Sequence, residues 1–214
     1  FNLRGACIHH YNGIVGAVNH PCADARKVEL LQKAGYNAIR SAHNPCSVAT
    51  LEACDRLGML VLDEYSDMWY MHKTKYDYAS DLGQEWRGDL KSMAEKDYNH
   101  PSVIMYSIGN EVAETGQKRG IRLAAEMTQY LHLLDDRPVT CGINIFFNLL
   151  HALGFGVYTA RKAKMEAAPR KGTSPKTKST GSEFFNDLAG LLAPAPMKIV
   201  PTITGWSPTS NALF

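Results

Sequence analysis

The stretch Asn99-His100-Pro101-Ser102-Val103-Ile104-Met105-Tyr106-Ser107-Ile108-Gly109-Asn110-Glu111 constrains the fold more than any other in this chain. From Val103 to Ile108 it carries β-branched, aromatic and other uncharged residues, bounded by Asn-His-Pro before and Gly-Asn-Glu after. Such a run reads as a buried strand covered on both faces by helices, as in a parallel sheet. Its far end then delivers Asn110 and Glu111. The carboxyl ends of strands in parallel α/β folds carry the chemistry, so the pair reads as a catalytic carboxylate beside a hydrogen-bonding amide. Equally, Glu111 reads as an acid in the first turn of a following helix, complementing its dipole. The residues of this stretch leave both readings open.

The rest of the chain alternates in the manner this strand requires. Leu3 to His10 reads as a short strand ending in two histidines, and Asp24 to Ala34 as a helix stopped by Gly35. Asn37 to Ala42 is a second strand, Ser47 to Leu57 a helix closed by Gly58, and Met59 to Leu62 a third strand ending in Asp63-Glu64. The long aromatic connection Tyr65 to Asp81 holds Trp69, Tyr70, Tyr76 and Tyr78, rings that would either form a stacking wall for a ligand or pack the loop down. Helices are expected over Leu82 to Tyr98 and Gln117 to Leu134, with a fifth strand over Arg137 to Asn144. Strands alternating with helices, each strand ending in polar residues, argue for parallel pairing with right-handed crossovers. Five such units are legible. Beyond them the apolar run Phe146 to Phe155 is followed by a basic, Pro/Gly/Ser/Thr-rich segment over 161–182, expected to be a mobile loop. Phe184 to Leu192 reads as a short helix and Lys198 to Ile203 as a strand.

Composition narrows the partner. A formal net charge of +2 on 214 residues argues against nucleic acid or an anionic membrane as partner. No apolar run approaches the roughly 20 residues of a membrane span. A neutral or weakly charged small molecule is the expected ligand. Five cysteines (Cys7, Cys22, Cys46, Cys54, Cys141), an odd number without short paired spacing, argue for buried free thiols rather than disulfides or a thiolate metal site. The chain opens on Phe1-Asn2-Leu3-Arg4-Gly5, with neither an initiator Met nor a signal-type apolar core, and reads as a piece of a longer protein.

Two motifs carry a resemblance. Asn99-His100-Pro101-Ser102, the apolar run and Gly109-Asn110-Glu111 resemble the acid/base signature of glycoside hydrolase family 2, which contains β-galactosidases, β-glucuronidases and β-mannosidases. Upstream, Asn37-Ala38-Ile39-Arg40-Ser41-Ala42-His43-Asn44-Pro45 and then Cys54-Asp55-Arg56-Leu57-Gly58-Met59-Leu60-Val61-Leu62-Asp63-Glu64 are similar to that family's other pattern. The chain departs from the family at Tyr106, where Trp is usual, and at Asn44, where Tyr is usual. The resemblance covers the first two-thirds of the chain and implies a (β/α)₈ TIM barrel, of which these 214 residues supply the first five or six strands. Residues 1–214 are then the N-terminal portion of one catalytic domain. Its partners would be a β-glycoside or oligosaccharide substrate, the missing half of the barrel, and accessory β-sandwich domains of the parent chain.

The implied chemistry is retaining hydrolysis of a β-glycosidic bond, which needs two carboxyl groups about 5–5.5 Å apart. By resemblance Glu111 is the general acid/base, Asn110 bonds the sugar 2-hydroxyl, His9 and His43 touch sugar hydroxyls, and Arg40 orients the nucleophile. The nucleophile itself is expected beyond Phe214, with Glu183 a weak candidate better read as a first-turn acid capped by Ser182, so the isolated piece is expected to be inactive. Asp63 and Glu64 are expected to be structural, one of them holding Arg40. The remaining histidines, His10 among them, are expected at the surface or in loops. Some β-galactosidases of the family hold Mg²⁺ after the third strand, but Met68 and Tyr70 stand at those positions, so neither metal nor cofactor is carried over. Competing classes are a metal-dependent barrel hydrolase liganded by His9, His43, Asp63 and Glu111, and a non-catalytic sugar-binding module.

Overall fold

The computed structural model describes residues 2–13 and 16–153. Five parallel strands run in the order β1 (Gly5–His9), β2 (Ala38–Ala42), β3 (Leu60–Glu64), β4 (Val103–Ser107) and β5 (Val139–Thr140). Between them lie α1 (Pro21–Lys33), α2 (Val48–Leu57), α3 (Ala79–Asp97) and α4 (Lys118–His132), and α5 (Ile145–Ala152) follows β5. Among the described residues each strand pairs with its sequence neighbours, as a barrel wall built by successive βα units does. The expected segments of 161–182, Phe184 to Leu192 and Lys198 to Ile203 lie outside the described residues, as does Glu183.

Local chemistry sets the helix ends. Ser47 caps α2 by accepting the Thr50 N–H at 3.1 Å, and Gly58, at φ 70°, takes the left-handed turn that stops it. Helix α3 begins at Ala79, three residues before the first large apolar side chain, because Asp77 accepts the Ala79 N–H at 3.2 Å. From there Leu82, Trp86, Leu90, Met93 and Ala94 form one buried stripe with the helical repeat. Full burial of side chains such as Leu82 and Leu90 stabilises the fold by about 1.5–3 kcal/mol each.

The core lies on one face of the sheet. Ile39, Val61, Val103 and Tyr106 meet Val28, Leu51, Leu82, Leu90, Met127 and Leu131 from the helices. The opposite face, expected to be covered by helices too, instead carries Cys7, Arg40, Leu62 and Met105, all partly exposed. In a barrel that face is the interior. A register shift between Val61 and Leu62 puts an extra residue, Ile104, into β4 and brings Glu64 opposite Ser107. Strand β5 is shorter than the expected Arg137 to Asn144. After Thr140 the chain leaves the ladder, and Gly142 exchanges bonds with Gly109 and Val112 instead, at 2.7 and 3.0 Å.

Two sequence-distant motifs are tied together at the amino ends of the strands. Asp55, near the end of α2, accepts from the Ser102 N–H at 2.9 Å and lies 2.6 Å from His100 Nδ1, so it clamps the turn that launches β4. Burial alone would raise the Asp55 pKa, yet bonds from Ser102 and His100 outweigh it and hold it below the usual carboxylate value.

Behind β3 lies a second buried charge group. Lys96 bonds Asp63 Oδ2 at 3.1 Å and also Asp97. Asp63 Oδ1 accepts the Cys46 N–H at 2.7 Å. Burial first, then the charge of Asp63, push the Asp97 carboxyl up to about 8. A folded-state value above the unfolded one means that the native protein holds this proton more tightly. The associated stability is therefore complete below about pH 4 and lost as pH rises through about 8. Asp97→Asn is expected to flatten the fall in melting temperature over that window, and melting curves that keep the wild-type slope would contradict this assignment.

Candidate functional site

The carboxyl ends of β2, β3 and β4 converge on one carboxylate. Glu64, fully buried, accepts from Arg40 Nε at 2.9 Å and from Arg40 Nη2 at both of its oxygens, 2.9 Å to Oε1 and 2.6 Å to Oε2. Ser107 Oγ donates to Oε2 at 2.7 Å, and His43 Nδ1 lies 2.9 Å from Oε1. Both oxygens are thereby saturated by charge-assisted bonds. Of the two acids ending β3, Glu64 is the one that holds Arg40, whereas Asp63 points into the helix layer toward Lys96.

Arg40 extends the network to the fourth strand. Its Nη2 donates to Asn110 Oδ1 at 2.7 Å, while Asn110 Nδ2 donates to Asp67 Oδ1 at 2.8 Å. The amide orientation is fixed by these opposed partners. One Nδ2 hydrogen is committed to Asp67 and the second is left for a ligand oxygen. Arg40 Nη1 also lies 3.8 Å from Cys7 Sγ. Burial outweighs that cation and raises the Cys7 thiol pKa.

His9 and His43 meet edge to face with ring centroids 5.1 Å apart. Burial first, then the neighbouring His43, lower the His9 pKa, so its ring is neutral at neutral pH. His9 is exposed on the concave face while His43 is anchored by Glu64. His10, expected at the surface or in a loop, is partly buried and sits 3.0 Å from both Ser41 Oγ and the Asn44 carbonyl. It pins the end of β1 to the turn after β2.

Glu111 stands one residue past the network. It is exposed, has a φ of 43°, and makes no hydrogen bond or ion pair among the described residues. It does not lie in a helical first turn, since α4 starts only at Lys118 after a short 3₁₀ turn over Glu114–Gly116. A positive φ at a non-glycine residue costs on the order of 1–3 kcal/mol and persists only where the surroundings enforce it. Two nearby glycines leave room for the close backbone approach around it. A Cβ on Gly142 would lie 3.0 Å from Gly109 O and 3.3 Å from the Glu111 nitrogen, and one on Gly109 would meet the Trp69 ring at 3.0 Å.

The aromatic connection after β3 is mostly packed down. Trp69 is fully buried and donates from Nε1 to the Ile108 carbonyl at 2.8 Å, while Tyr65 and Tyr78 both donate to Asp89 Oδ2 at 2.8 Å. Tyr76 alone among the four named rings is largely exposed, at 86%. Asp67 is the contributor that sequence reading passed over. It sits in a loop without periodic pattern, and its one signal was its place just past the end of a strand.

His9, His43, Asp63 and Glu111 are not gathered as ligands, because Asp63 faces the helices, and no group of three or more His, Cys, Asp or Glu suited to a metal occurs among the described residues. The thioether of Met68 and the phenol of Tyr70, which bonds Gln117 and lies under Arg119, do not fit a magnesium ion either.

Glu64 is expected to be essential to folding. Glu64→Gln leaves the half-buried Arg40 without its counter-charge and should cost about 3 kcal/mol in chemical denaturation, against less than about 0.5 kcal/mol for Glu111→Gln at its exposed position. Equal losses in the two variants would contradict the division between a structural and a free carboxylate.

Comparison with known proteins identifies the family. The profile described as "Glycosyl hydrolases family 2, TIM barrel domain" matches residues 1–180. The β-galactosidase BoGH2A of Bacteroides ovatus is 44% identical over 112 residues, which are 52% of this chain and 13% of that protein. A putative β-glucuronidase of Formosa agariphila is 37% identical over 110 residues, 51% of this chain and 10% of that protein. Among solved structures, a glycosyl hydrolase family 2 member from Bacteroides cellulosilyticus aligns with a TM-score of 0.65 at 47% identity, covering 70% of this chain and 20% of that one. A β-glucuronidase from Ruminococcus gnavus aligns with a TM-score of 0.59 at 27% identity, covering 66% and 24%. The chain thus spans a small part of the length of the relatives it matches.

Proposed function

Because this chain belongs to glycosyl hydrolase family 2, as part of its TIM barrel domain, we propose that it carries the acid/base side of a retaining β-glycosidase of β-galactosidase type. One observation supports this most: a network fixed by the buried Glu64 runs through Arg40 to Asn110, and the adjacent Glu111 is exposed and, among the described residues, without a hydrogen bond or ion pair.

In this reading Glu111 protonates the departing glycosidic oxygen and then, as carboxylate, takes a proton from the attacking water. Its exposure suits a group that must reach a leaving group of variable size. Asn110, with its oxygen committed to Arg40, directs its remaining amide hydrogen at the sugar 2-hydroxyl, a bond that strengthens as positive charge develops on the ring. In the same reading His9 and His43 contact further hydroxyls, and Arg40, held by Glu64 and Asn110, orients the nucleophilic carboxylate. Glu64 is unsuited to be that nucleophile, since five bonds at its two oxygens spend its lone pairs. In this reading the second carboxyl falls to a residue outside the described ones.

The galactoside preference is supported by the 44% identity to a β-galactosidase. Glucuronides are the second reading, supported by the 37% identity to a putative β-glucuronidase. The test is a panel of nitrophenyl β-glycosides on the full-length enzyme and its Glu111→Gln variant. Loss of about 10²–10⁴-fold is expected for poor leaving groups and far less for dinitrophenyl glycosides, which need no protonation. Unchanged turnover throughout would refute the acid role, and faster turnover of glucuronide than galactoside would move the substrate to the second reading.

A further inference from the structure

The carbonyls of the segment that ends β4 are each held by a separate donor. Ile108 O accepts from Trp69 Nε1 at 2.8 Å, Gly109 O from the Gly142 N–H at 2.7 Å, and Asn110 O from Lys73 Nζ at 2.8 Å. The third of these is unlike the others. Lys73 belongs to the loop between β3 and α3, and its ammonium also donates to Asp67 Oδ1 at 2.7 Å, the atom that receives Asn110 Nδ2. One cation therefore closes a ring: Lys73 to the Asn110 carbonyl, Asn110 side chain to Asp67, and Asp67 back to Lys73.

The ring grips the peptide that joins Asn110 to Glu111. Because Glu111 sits at φ 43°, its backbone is outside the region that a glutamate adopts unaided. The direction of its side chain depends on that peptide keeping its plane, and the Asn110 carbonyl is the handle by which the plane is held. Lys73 is itself presented by a turn wound around Asp77. That carboxylate accepts the Lys73 N–H at 2.6 Å and the Thr74 N–H at 2.9 Å, and it lies 2.6 Å from His72 Nδ1. Burial alone would raise the Asp67 pKa, but bonds from Lys73 and Asn110 outweigh it and keep Asp67 ionised as the counterpart of the ammonium.

The geometry points to Lys73 as a positioning residue for the proposed acid: through the Asn110 carbonyl and Asp67 it fixes the left-handed backbone at Glu111 and so the aim of that carboxyl group. This rests on the reading of Glu111 as general acid/base. Lys73 touches neither the sugar nor the reacting atoms in this role. Its loss therefore shows in the step that needs protonation rather than in substrate affinity.

The test is Lys73→Met and Lys73→Arg in the full-length enzyme, assayed beside Glu111→Gln on nitrophenyl glycosides of graded leaving-group acidity. Lys73→Met is expected to lower kcat/KM, which reports the step that expels the leaving group, about 10²-fold for poor leaving groups and much less for dinitrophenyl glycosides. Lys73→Arg, which retains charge and donors, should recover most of that loss while keeping a smaller bias of the same kind. A loss uniform across leaving groups or an arginine variant no better than methionine would overturn the role. Should the methionine variant fail to fold, the arginine variant decides, since absence of any leaving-group bias in it overturns the role too. The two hypotheses separate: a leaving-group signature in Glu111→Gln but not in Lys73→Met removes only the positioning role, whereas its absence from both removes the acid reading as well.

Discussion

A single buried carboxylate organises the mouth of this sheet. Glu64 is removed from water, and an ion there is tolerable only with its charge matched and its lone pairs occupied. Arg40 from β2, His43 just past it and Ser107 from β4 meet both demands. Arg40 lies within β2, His43 just past its end and Ser107 at the end of β4, so satisfying Glu64 also fixes the relative heights of three strands. The extra residue in β4 belongs to the same solution, for it brings Ser107 level with Glu64. Specific placement of neighbouring groups follows from this electrostatic requirement, which apolar packing alone would not impose.

The consequences run outward from there along a chain of side-chain hydrogen bonds. Arg40 passes the constraint to Asn110, Asn110 to Asp67, and Asp67 to Lys73. Glu111 comes last, exposed and, among the described residues, unpaired. This arrangement separates two uses of a carboxylate in one small region. Glu64 spends its acceptor capacity on the protein, while Glu111 keeps its capacity for something else. Proton transfer to a substrate needs the second kind, and precision in aiming it needs the first.

The other end of the sheet shows a parallel division of labour. Asp55 holds His100 and the Ser102 amide, joining the end of α2 to the turn that starts β4. The two motifs that carry the family resemblance are therefore linked twice, by Asp55 below and by the Arg40, Glu64 and Asn110 group above. That a motif spans both ends of a strand reflects this double attachment. Its apolar centre packs against helices, and its polar flanks each find a partner from the preceding unit.

Much of this was legible in the chain. Periodicity and helix stops placed five strands and the helices between them, because Gly35 and Gly58 break helices locally and apolar runs such as Val103 to Ile108 have few alternatives. Strand-end position together with the family resemblance named Asn110, Glu111, His9 and His43 as candidates, and the resemblance named Arg40 within the second strand. Tertiary structure alone decided the rest. Asp63 and Glu64 are adjacent acids at one strand end, and only the alternation of the pleat sends the first to Lys96 and the second to Arg40. The same holds for Trp69, buried under Ile108 where a sugar platform was conceivable, and for Asp67 and Lys73, which lie in a connection with no repeating pattern to read. Sequence determines which chemistry is available at each strand end through local, short-range preferences. Which group meets which depends on long-range approach of segments up to 70 residues apart, such as Arg40 and Asn110, and is set only once the sheet has closed its register.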